Sequence, residues 1–420
     1  MSESNHTEIL VIGGGVIGVC AAYYLAQAGQ QVTLLEKDEI CAGSSYGNAG
    51  LVAVEHAVPP AQPGVLTQGL RWLLDGSSPF YIKPRADIEL LRWLWEFRAA
   101  SNRTTMLRTI ETVLALGRSS IALYEELNEQ HDLDYAYEHK GRLYLYNSQA
   151  SLDEAVEEAE LLEEFGVQPK ILDAAEVSQR EPTVLPSVIG GVHYPGYAHC
   201  VPDRFVHGMA RLVQDSGVQV QTQTEVMGFE TAGGRITSVV TTRGNIQPAH
   251  VVLAAGAWSP MVVRDLGLRL PVQAAKGYSL TFERPANCPE TPLALGESLV
   301  SVSQLGDTLR FAGTLELAGF DLTINQRRVA AIRRAVGAYL APMEDLELLE
   351  VWRGPRPLTS DTLPIIGRSQ VLGNLIVATG HGMLGLTHGP ITGKLVAQIL
   401  SGEPPDLDLT PLRIERFAGS

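Results

Sequence analysis

Short apolar runs followed by glycine-rich turns occur at three places along the chain. Residues 9–12, 251–258 and 375–378 are largely apolar, which is typical of strands buried on both faces of a parallel sheet. A helical pattern follows the first run over residues 16–28, and a glycine loop that leads into a helix follows the third. The pattern predicts an α/β unit at the start of the chain and further parallel strands far downstream.

The middle of the chain has a different pattern. Alternating or β-rich stretches predict a largely antiparallel sheet, with strands near residues 139–146, 276–282, 299–302 and 309–314. Helical patterns separate or follow them at residues 104–130, 152–165, 205–215 and 327–341. The segment 351–367, rich in Pro and Gly, is not predicted to be a regular element.

The composition argues against several classes of function. The 32 Lys and Arg residues against 47 Asp and Glu give a net charge of −15, which argues against nucleic acid and against simple electrostatic attachment to anionic lipid. The four cysteines form no metal-binding or disulfide spacing, so we expect no metal site and a reducing compartment. The polar start predicts no signal peptide, and no apolar run reaches roughly 18 residues. We expect a cytoplasmic protein that is soluble or at most peripheral to a membrane.

The first turn carries a dinucleotide-binding pattern. Gly13, Gly15 and Gly18 have the G-x-G-x-x-G spacing, and a second predicted strand at 31–35 ends at Glu36. The glycines permit a tight turn, a close approach to a pyrophosphate and close helix packing. A carboxylate at Glu36 suits the two ribose hydroxyls of an adenosine and would repel a 2′-phosphate. This unit predicts NAD or FAD.

Two glycine-rich loops extend the predicted ligand site. Ser44, Ser45, Asn48 and Gly50 lie in a loop that is able to follow an extended ligand, although a plain surface loop is the alternative. Residues 380–385 form the second loop and point another helix N-terminus at the ligand. A ligand bound from three sides is longer than a simple nicotinamide site requires, which favours FAD.

An aromatic-rich segment spans residues 65–97. It includes Trp72, Phe80, Tyr81, Trp93, Trp95 and Phe97. Part of it, residues 87–97, has helical spacing. We expect packing between two domains, with contact to a membrane or a partner as the alternative.

Together these motifs resemble the flavin-dependent amine-oxidising proteins of the D-amino acid oxidase and glycine oxidase superfamily, and within it the bacterial D-amino acid dehydrogenases. The resemblance covers essentially the whole chain, through GGGVIG, SSYGNAG, SPFYIKPR, VVLAAGAWSP, KGYSLT, AGTLELAGFD, WRGPRP and GHGMLGLT. It implies an α/β fold with a discontinuous, Rossmann-like FAD-binding domain and an α+β substrate domain with a large antiparallel sheet. The FAD-binding domain would comprise residues 1–56, 195–262 and 352–420, and the substrate-binding domain residues 57–194 and 263–351.

The resemblance also implies the cofactor contacts. The residues expected to bind FAD are Gly13, Gly15, Val16, Ile17, Gly18, Glu36, Lys37, Ser44, Ser45, Asn48, Ala49, Gly50, Leu51, Val226, Ala255, Gly256, Trp258, Gly382, Met383, Leu384, Gly385, Leu386 and Thr387. Sarcosine oxidases attach their flavin through a cysteine in the C-terminal third, and no cysteine here lies beyond Cys288. We therefore expect non-covalent FAD.

Three residues are expected at the substrate. Arg356 matches the arginine that binds the substrate carboxylate in glycine oxidase-like enzymes, and its planar fork suits that contact. A structural salt bridge to Asp361 or another acid is the alternative. Tyr278 is expected to place a hydroxyl near the carboxylate, with plain packing as the alternative, and His56 is a further candidate.

The implied reaction is hydride transfer from Cα of a D-amino acid to flavin N5, followed by hydrolysis to a 2-oxo acid and ammonia. Electrons would pass to a quinone or another carrier. A secondary-amine or imino-acid enzyme acting on D-proline, hydroxyproline, glycine or sarcosine is an alternative. A non-catalytic, flavin-holding subunit of a complex is another.

Overall fold

The computed structural model describes residues 5–55, 57–62, 80–343 and 346–417. The strands are β1 Asn5–Ile12, β2 Val32–Leu35, β3 Leu51–Val52, β4 Phe80–Ile82, β5 Arg142–Tyr146, β6 Lys170–Asp173, β7 Gly190–Tyr194, β8 Ala198–His199, β9 Gln219–Gln221, β10 Val226–Ala232, β11 Arg235–Thr241, β12 Gly244–Leu253, β13 Val272–Glu283, β14 Leu293–Leu295, β15 Val300–Leu305, β16 Thr308–Leu317, β17 Leu348–Thr359, β18 Ile365–Arg368 and β19 Leu375–Thr379. The helices are α1 Val16–Gln27, α2 Ile88–Ala100, α3 Arg103–Gln130, α4 Gln149–Glu163, α5 Ala174–Arg180, α6 Pro202–Asp215, α7 Ser259–Val262, α8 Gln326–Gly337 and α9 Gly385–Ser401.

The first sheet has a parallel core in the order β9-β2-β1-β12-β19. The antiparallel strands β10 and β11 extend it from the first half of β12, and β18 pairs with β19. The predicted runs at residues 251–258 and 375–378 both contain buried parallel strands, as expected for a sheet covered on both faces, but β12 ends at Leu253 and residues 256–258 form a 3-10 helix instead. The α/β class is confirmed.

The second sheet is large and mainly antiparallel. Its order is β17-β13-β16-β15-β14-β5-β7-β6, with β4 added beside β16. Two pairings, β14 with β5 and β4 with β16, are parallel. The predicted antiparallel sheet is therefore confirmed. Its strands come from two parts of the chain, one before and one after the segment that forms β9 to β12 of the first sheet.

The two faces of the second sheet differ in chemistry. In β13, Tyr278 packs into an apolar core whose other side includes Ile332 of α8. Successive strand residues point to opposite faces, so Ser279 lies on the other face, which we call the polar face. This polar face meets the cofactor half of the molecule: a Cβ on Gly47 would lie 2.0 Å from the ring of Trp352, which is paired with Ser279.

Helices α1 and α9 pack at unusually short range in the part of the molecule that is built on the first sheet. A Cβ on Gly389 would lie 2.9 Å from a methyl of Val16, and one on Gly393 would lie 2.5 Å from the carbonyl oxygen of Cys20. Only glycine permits this approach at both positions. The two helix N-termini are thereby held side by side.

Three local features differ from the sequence prediction. The segment 351–367 contains most of β17, which pairs with β13 throughout; its Pro355 and Pro357 are tolerated because β17 is an edge strand. The predicted domain boundary at residue 352 falls inside β17, and the division into domains stays a prediction. The stretch 218–229 is broken into β9 and part of β10.

Among the described helices, none is long and apolar enough to cross a membrane.

Candidate cofactor and substrate site

One elongated pocket follows the carboxyl ends of the parallel strands in the first sheet. One end is lined by Glu36, Thr224, Glu225, Val226 and Met261, and the other by Pro357, His381, Gly382, Gly385 and Leu386. Between them lie the glycine turn after β1 and the loop at residues 42–48. Ligands of open α/β sheets bind at this edge.

The glycines of the turn after β1 have different roles, because some allow close packing and another leaves space for a ligand. Gly13 has φ +116°, and a Cβ there would lie 2.5 Å from the carbonyl oxygen of Ala254. A Cβ on Gly18 would lie 1.8 Å from the carbonyl oxygen of Gly13. Gly15 is different, because a Cβ there would meet only Ser45 Oγ, at 3.3 Å. Gly15 lines the pocket and Gly18 does not. Gly18 therefore serves packing, and Gly15 leaves space for a ligand.

Glu36 is held in place at one end of the pocket. Its carboxylate accepts hydrogen bonds from the backbone N–H groups of Gly14, at 2.7 Å, and Asp38, at 2.9 Å. Each carboxylate oxygen has a further lone pair, so Glu36 is able to accept ribose hydroxyls in this position.

The loop at residues 42–50 connects the glycine turn to the second sheet. Ser45 Oγ accepts a hydrogen bond from Val16 N–H at 3.0 Å, which satisfies one of the free amides at the start of α1. Ser44 Oγ donates to the carbonyl oxygen of Pro355 in β17. Asn48 Oδ1 accepts from Gly50 N–H at 2.8 Å and so shapes the loop.

Arg310 of β16 contacts the same loop. The sequence did not identify it as a functional residue. It is buried, and its Nη1 donates to the carbonyl oxygens of Tyr46, at 2.9 Å, and Asn48, at 2.8 Å. Its Nε donates to Thr281 Oγ1 at 3.1 Å. Burial lowers the pKa of Arg310. Among the described residues no carboxylate lies within ion-pair distance of it.

Arg356 extends from β17 across the polar face. Its Nη1 donates to the carbonyl oxygen of Thr314 at 2.8 Å, and a Cβ on Gly277 would lie 2.4 Å from the guanidinium. Burial lowers the pKa of Arg356 to about 10, so it is charged at neutral pH. The alternative salt bridge to Asp361 is excluded, because Asp361 pairs with Arg416 at 2.6 Å. In the described part of the chain, Arg356 has no acidic partner.

Tyr278 does not lie beside Arg356. It is fully buried on the opposite face of β13, where its hydroxyl accepts a hydrogen bond from Asn325 N–H at 3.2 Å and lies 3.4 Å from Glu316 Oε2. Its catalytic role stays a prediction, and this geometry favours the packing alternative. His56 lies outside the described residues.

Most of the predicted cofactor residues come together. Those that line the pocket are Gly13, Gly15, Val16, Ile17, Glu36, Lys37, Ser44, Ser45, Asn48, Val226, Ala255, Gly256, Trp258, Gly382, Gly385 and Leu386. Those outside its lining are Gly18, Ala49, Gly50, Leu51, Met383, Leu384 and Thr387. Thr387 joins two elements instead, since its Oγ1 accepts from Ala53 N–H at 2.9 Å and donates to the Leu51 carbonyl at 3.3 Å.

His381 is a lining residue that the sequence indicated only as a part of the glycine loop. Its Nε2 lies 3.0 Å from Thr392 Oγ1. Burial, with a smaller contribution from His388, lowers the pKa of His381 to about 3, so its ring is neutral. The ring braces the loop against α9.

The site fits a bound dinucleotide. The N-termini of α1 and α9, at Val16 and Gly385, both line the pocket, and their dipoles favour negative charge there. A fixed acid at one end, a turn open at Gly15 and a second helix start at the other end match an adenosine, a pyrophosphate and a second ring system. The fold and site thus define a dinucleotide-binding protein that also contains a second, separate sheet.

Similarity to known proteins makes the assignment specific. The chain belongs to the DAO family of FAD-dependent oxidoreductases, whose family model matches residues 8–399. It is 34% identical to D-amino acid dehydrogenase of Methylobacterium radiotolerans and 31% identical to that of Granulibacter bethesdensis, in each case over 98% of this chain and 100% of the relative. Glycine oxidase of Geobacillus kaustophilus has the same fold, with a TM-score of 0.81 and 22% identity over 99% of this chain and 100% of that one. The protein is an oxidoreductase, and its cofactor is FAD.

Proposed function

We propose that this protein is a D-amino acid dehydrogenase, which oxidises the Cα–N bond of a D-amino acid and yields a 2-oxo acid and ammonia. The observation that carries the proposal is Arg356. It is a charged guanidinium without an acidic partner among the described residues, and its neighbour Pro357 lines the pocket. The two D-amino acid dehydrogenases named above, similar over their full length, support the substrate class.

The chain's own residues supply position and charge. When bound, FAD would supply the hydride acceptor. The planar fork of Arg356 binds a carboxylate through two parallel hydrogen bonds, and this fixes the direction in which Cα points. The N-terminus of α9 favours negative charge at the Gly385 end of the pocket. We propose that Gly15, Glu36 and Ser45 hold the cofactor's phosphate and ribose groups, and that no covalent bond attaches it.

Anaerobic spectroscopy tests the proposed function. The purified holoenzyme is mixed under nitrogen with D-alanine, L-alanine, D-proline or sarcosine, and the flavin absorbance is followed. We expect D-alanine to bleach the flavin, with pyruvate and ammonia as products, and L-alanine to leave it oxidised. Bleaching by sarcosine without any bleaching by D-amino acids would instead identify a secondary-amine enzyme. Turnover that is faster with a quinone-like dye than in air would support a carrier as electron acceptor.

An exposed apolar face on α2 suggests where the protein contacts a membrane that contains such an electron carrier. Ile88, Leu91 and Trp95 lie along one side of the helix, with 78%, 65% and 67% of their surface exposed. Arg98 flanks them, with its guanidinium 5.8 Å from the centre of the Trp95 ring, and Arg92 lies beside them in an ion pair with Glu89 at 3.5 Å. Aromatic and aliphatic side chains beside arginines suit the headgroup region of an anionic membrane, despite the net charge of the whole chain. We propose peripheral contact there, at the inner face of the cell membrane.

Vesicle sedimentation checks this surface. We expect the protein to sediment with vesicles that contain anionic lipid, and the double variant Leu91→Ser, Trp95→Ser to remain in the supernatant. Met227, exposed elsewhere, provides the control as Met227→Ser. Equal sedimentation of all three proteins would contradict the assignment.

A further inference from the structure

The polar face of the second sheet carries another buried arginine, Arg142 of β5. Only 7% of its surface is exposed. Its Nη2 donates to Ser301 Oγ at 2.6 Å and its Nη1 donates to the hydroxyl of Tyr144 at 3.2 Å. The guanidinium also lies 4.8 Å from the ring centre of Tyr144 and 5.8 Å from that of Tyr197. Arg142 is thus held by hydroxyl groups and aromatic faces.

No described residue neutralises Arg142. In the described ranges, no carboxylate lies within 4.0 Å of its guanidinium, and its Nε is buried without a hydrogen-bond partner. A buried charge is costly unless it is paired, and neutral hydroxyls and ring faces compensate for that cost only in part. The arrangement is therefore complete only when an anion is added.

Arg142 and Arg356 point toward each other on the same face. Arg356 reaches Thr314 on β16, while Arg142 reaches Ser301 on the adjacent strand β15. Ser301 is paired with Ala312, two positions before Thr314 on β16. A strand spacing of about 5 Å and a rise of about 3.3 Å per residue place the backbones of Ser301 and Thr314, the residues that the two guanidinium groups contact, roughly 8 Å apart.

The side chains on either side of Ser301 on the polar face are small. Ala312 lies next to Ser301 on the polar face, and Ala294 is paired with Ser301 on its other side. Both are alanines, so neither side chain extends far from the sheet. A compact substrate with a carboxylate at each end has the size and the charges that this surface requires.

We propose that Arg142 is a specificity-determining residue that binds a second, side-chain carboxylate, so that dicarboxylic D-amino acids of the aspartate or glutamate type are the preferred substrates. Arg356 binds the α-carboxylate, and Arg142, with Ser301 and Tyr144, binds the distal one. This inference rests on the proposed function, because it assigns the side chain of the amino acid that is oxidised. It leaves the reaction itself unchanged.

Steady-state kinetics with a matched pair of substrates tests the proposal. D-Glutamate and D-glutamine have the same shape but differ in the charge of the distal group. We expect kcat/KM for D-glutamate to exceed that for D-glutamine at least tenfold in the native enzyme. Arg142→Met should lower the value for D-glutamate by about 100-fold and that for D-glutamine by less than about threefold, as expected for the loss of a charge-assisted contact. Arg353→Met, exposed on the same sheet, is the charge control.

A binding measurement provides a readout apart from activity. Glutarate has two carboxylates and no amino group to oxidise, so its affinity for the holoenzyme is measured by calorimetry against that of butyrate. We expect glutarate to bind more tightly than butyrate to the native protein, and Arg142→Met to remove most of that difference. Ser301→Ala, a milder change, should reduce glutarate affinity about three- to tenfold and keeps the test open if Arg142→Met does not fold.

The outcomes separate the two proposals. If D-alanine bleaches the flavin but D-glutamate is no better than D-glutamine, and glutarate binds no better than butyrate, the inference about Arg142 is wrong while the proposed function stands. If no D-amino acid bleaches the flavin, the proposed function itself is wrong.

Discussion

At the scale of single residues, three buried or partly buried arginines define the polar face of the second sheet. Arg310 binds the backbone of the cofactor loop, Arg356 is available for a substrate carboxylate, and Arg142 lacks an anion. None of the three has an acidic partner among the described residues. Concentrating unpaired positive charge on one face creates a site for anions in a chain whose net charge is −15.

Only Arg356 could be identified from the sequence, and only through its motif. The role of an arginine in a strand depends on which strand lies beside it, and the neighbours of Arg142 and Arg310 are distant in the sequence. Ser301 lies 159 positions from Arg142, and Tyr46 lies 264 positions from Arg310. The position of Tyr278 was equally hidden, because the side of a strand that meets the cofactor depends on strand register.

Arg310→Met should weaken FAD binding without abolishing the fold. The change removes the donors to the carbonyl oxygens of Tyr46 and Asn48, and each such bond to a charged group contributes about 1.5–3 kcal/mol. We expect the dissociation constant for FAD to rise at least tenfold, measured by quenching of flavin fluorescence on addition of apoprotein. Arg327→Met, exposed on α8, is the control and should leave it unchanged. Equal affinities of the two variants would show that Arg310 has no part in shaping the loop.

At the scale of elements, the contact between α1 and α9 brings two distant chain segments onto one ligand. The sequence predicted both helices and both glycine loops from local patterns. Close packing of α1 and α9 through Gly389 and Gly393 was not predicted, although their spacing of four is a signal for close helix approach. The missed strand β17 has a different cause, since Pro355 and Pro357 oppose a strand unless it lies at an edge.

Gly393→Ala should separate these helices. The added Cβ would lie 2.5 Å from the carbonyl oxygen of Cys20, and a backbone atom there is unable to move aside without shifting α1. We expect a loss of about 1–3 kcal/mol in the free energy of unfolding, together with weaker FAD binding. Gly337→Ala, near the end of α8 where a Cβ meets nothing within 4 Å, is the matched control in denaturant unfolding. A variant at Gly393 as stable as this control would contradict the packing argument.

At the scale of the whole molecule, the first sheet lines the cofactor pocket, and in our proposal the second sheet presents the groups that bind the substrate. The cofactor sheet is built from segments at both ends and in the middle of the chain, while the loop at residues 42–50 and β17 join it to the second sheet. Local motifs were sufficient to predict the cofactor half. The substrate half was predictable only as a sheet, because its chemistry depends on which face is turned toward the cofactor.

The most direct measurement is the rate of flavin reduction by a D-amino acid in anaerobic stopped flow, compared among the native enzyme, Arg356→Met and Arg353→Met. Arg353 lies on the same strand but is exposed on the opposite face, so it controls for the loss of charge and for the change to β17. We expect the native enzyme and Arg353→Met to be reduced at similar rates, and Arg356→Met to lose at least about 100-fold in the second-order rate constant with its flavin still bound. Reduction of Arg356→Met at the native rate would contradict the assignment of Arg356 as the carboxylate-binding residue, and with it the proposed site of amino acid oxidation.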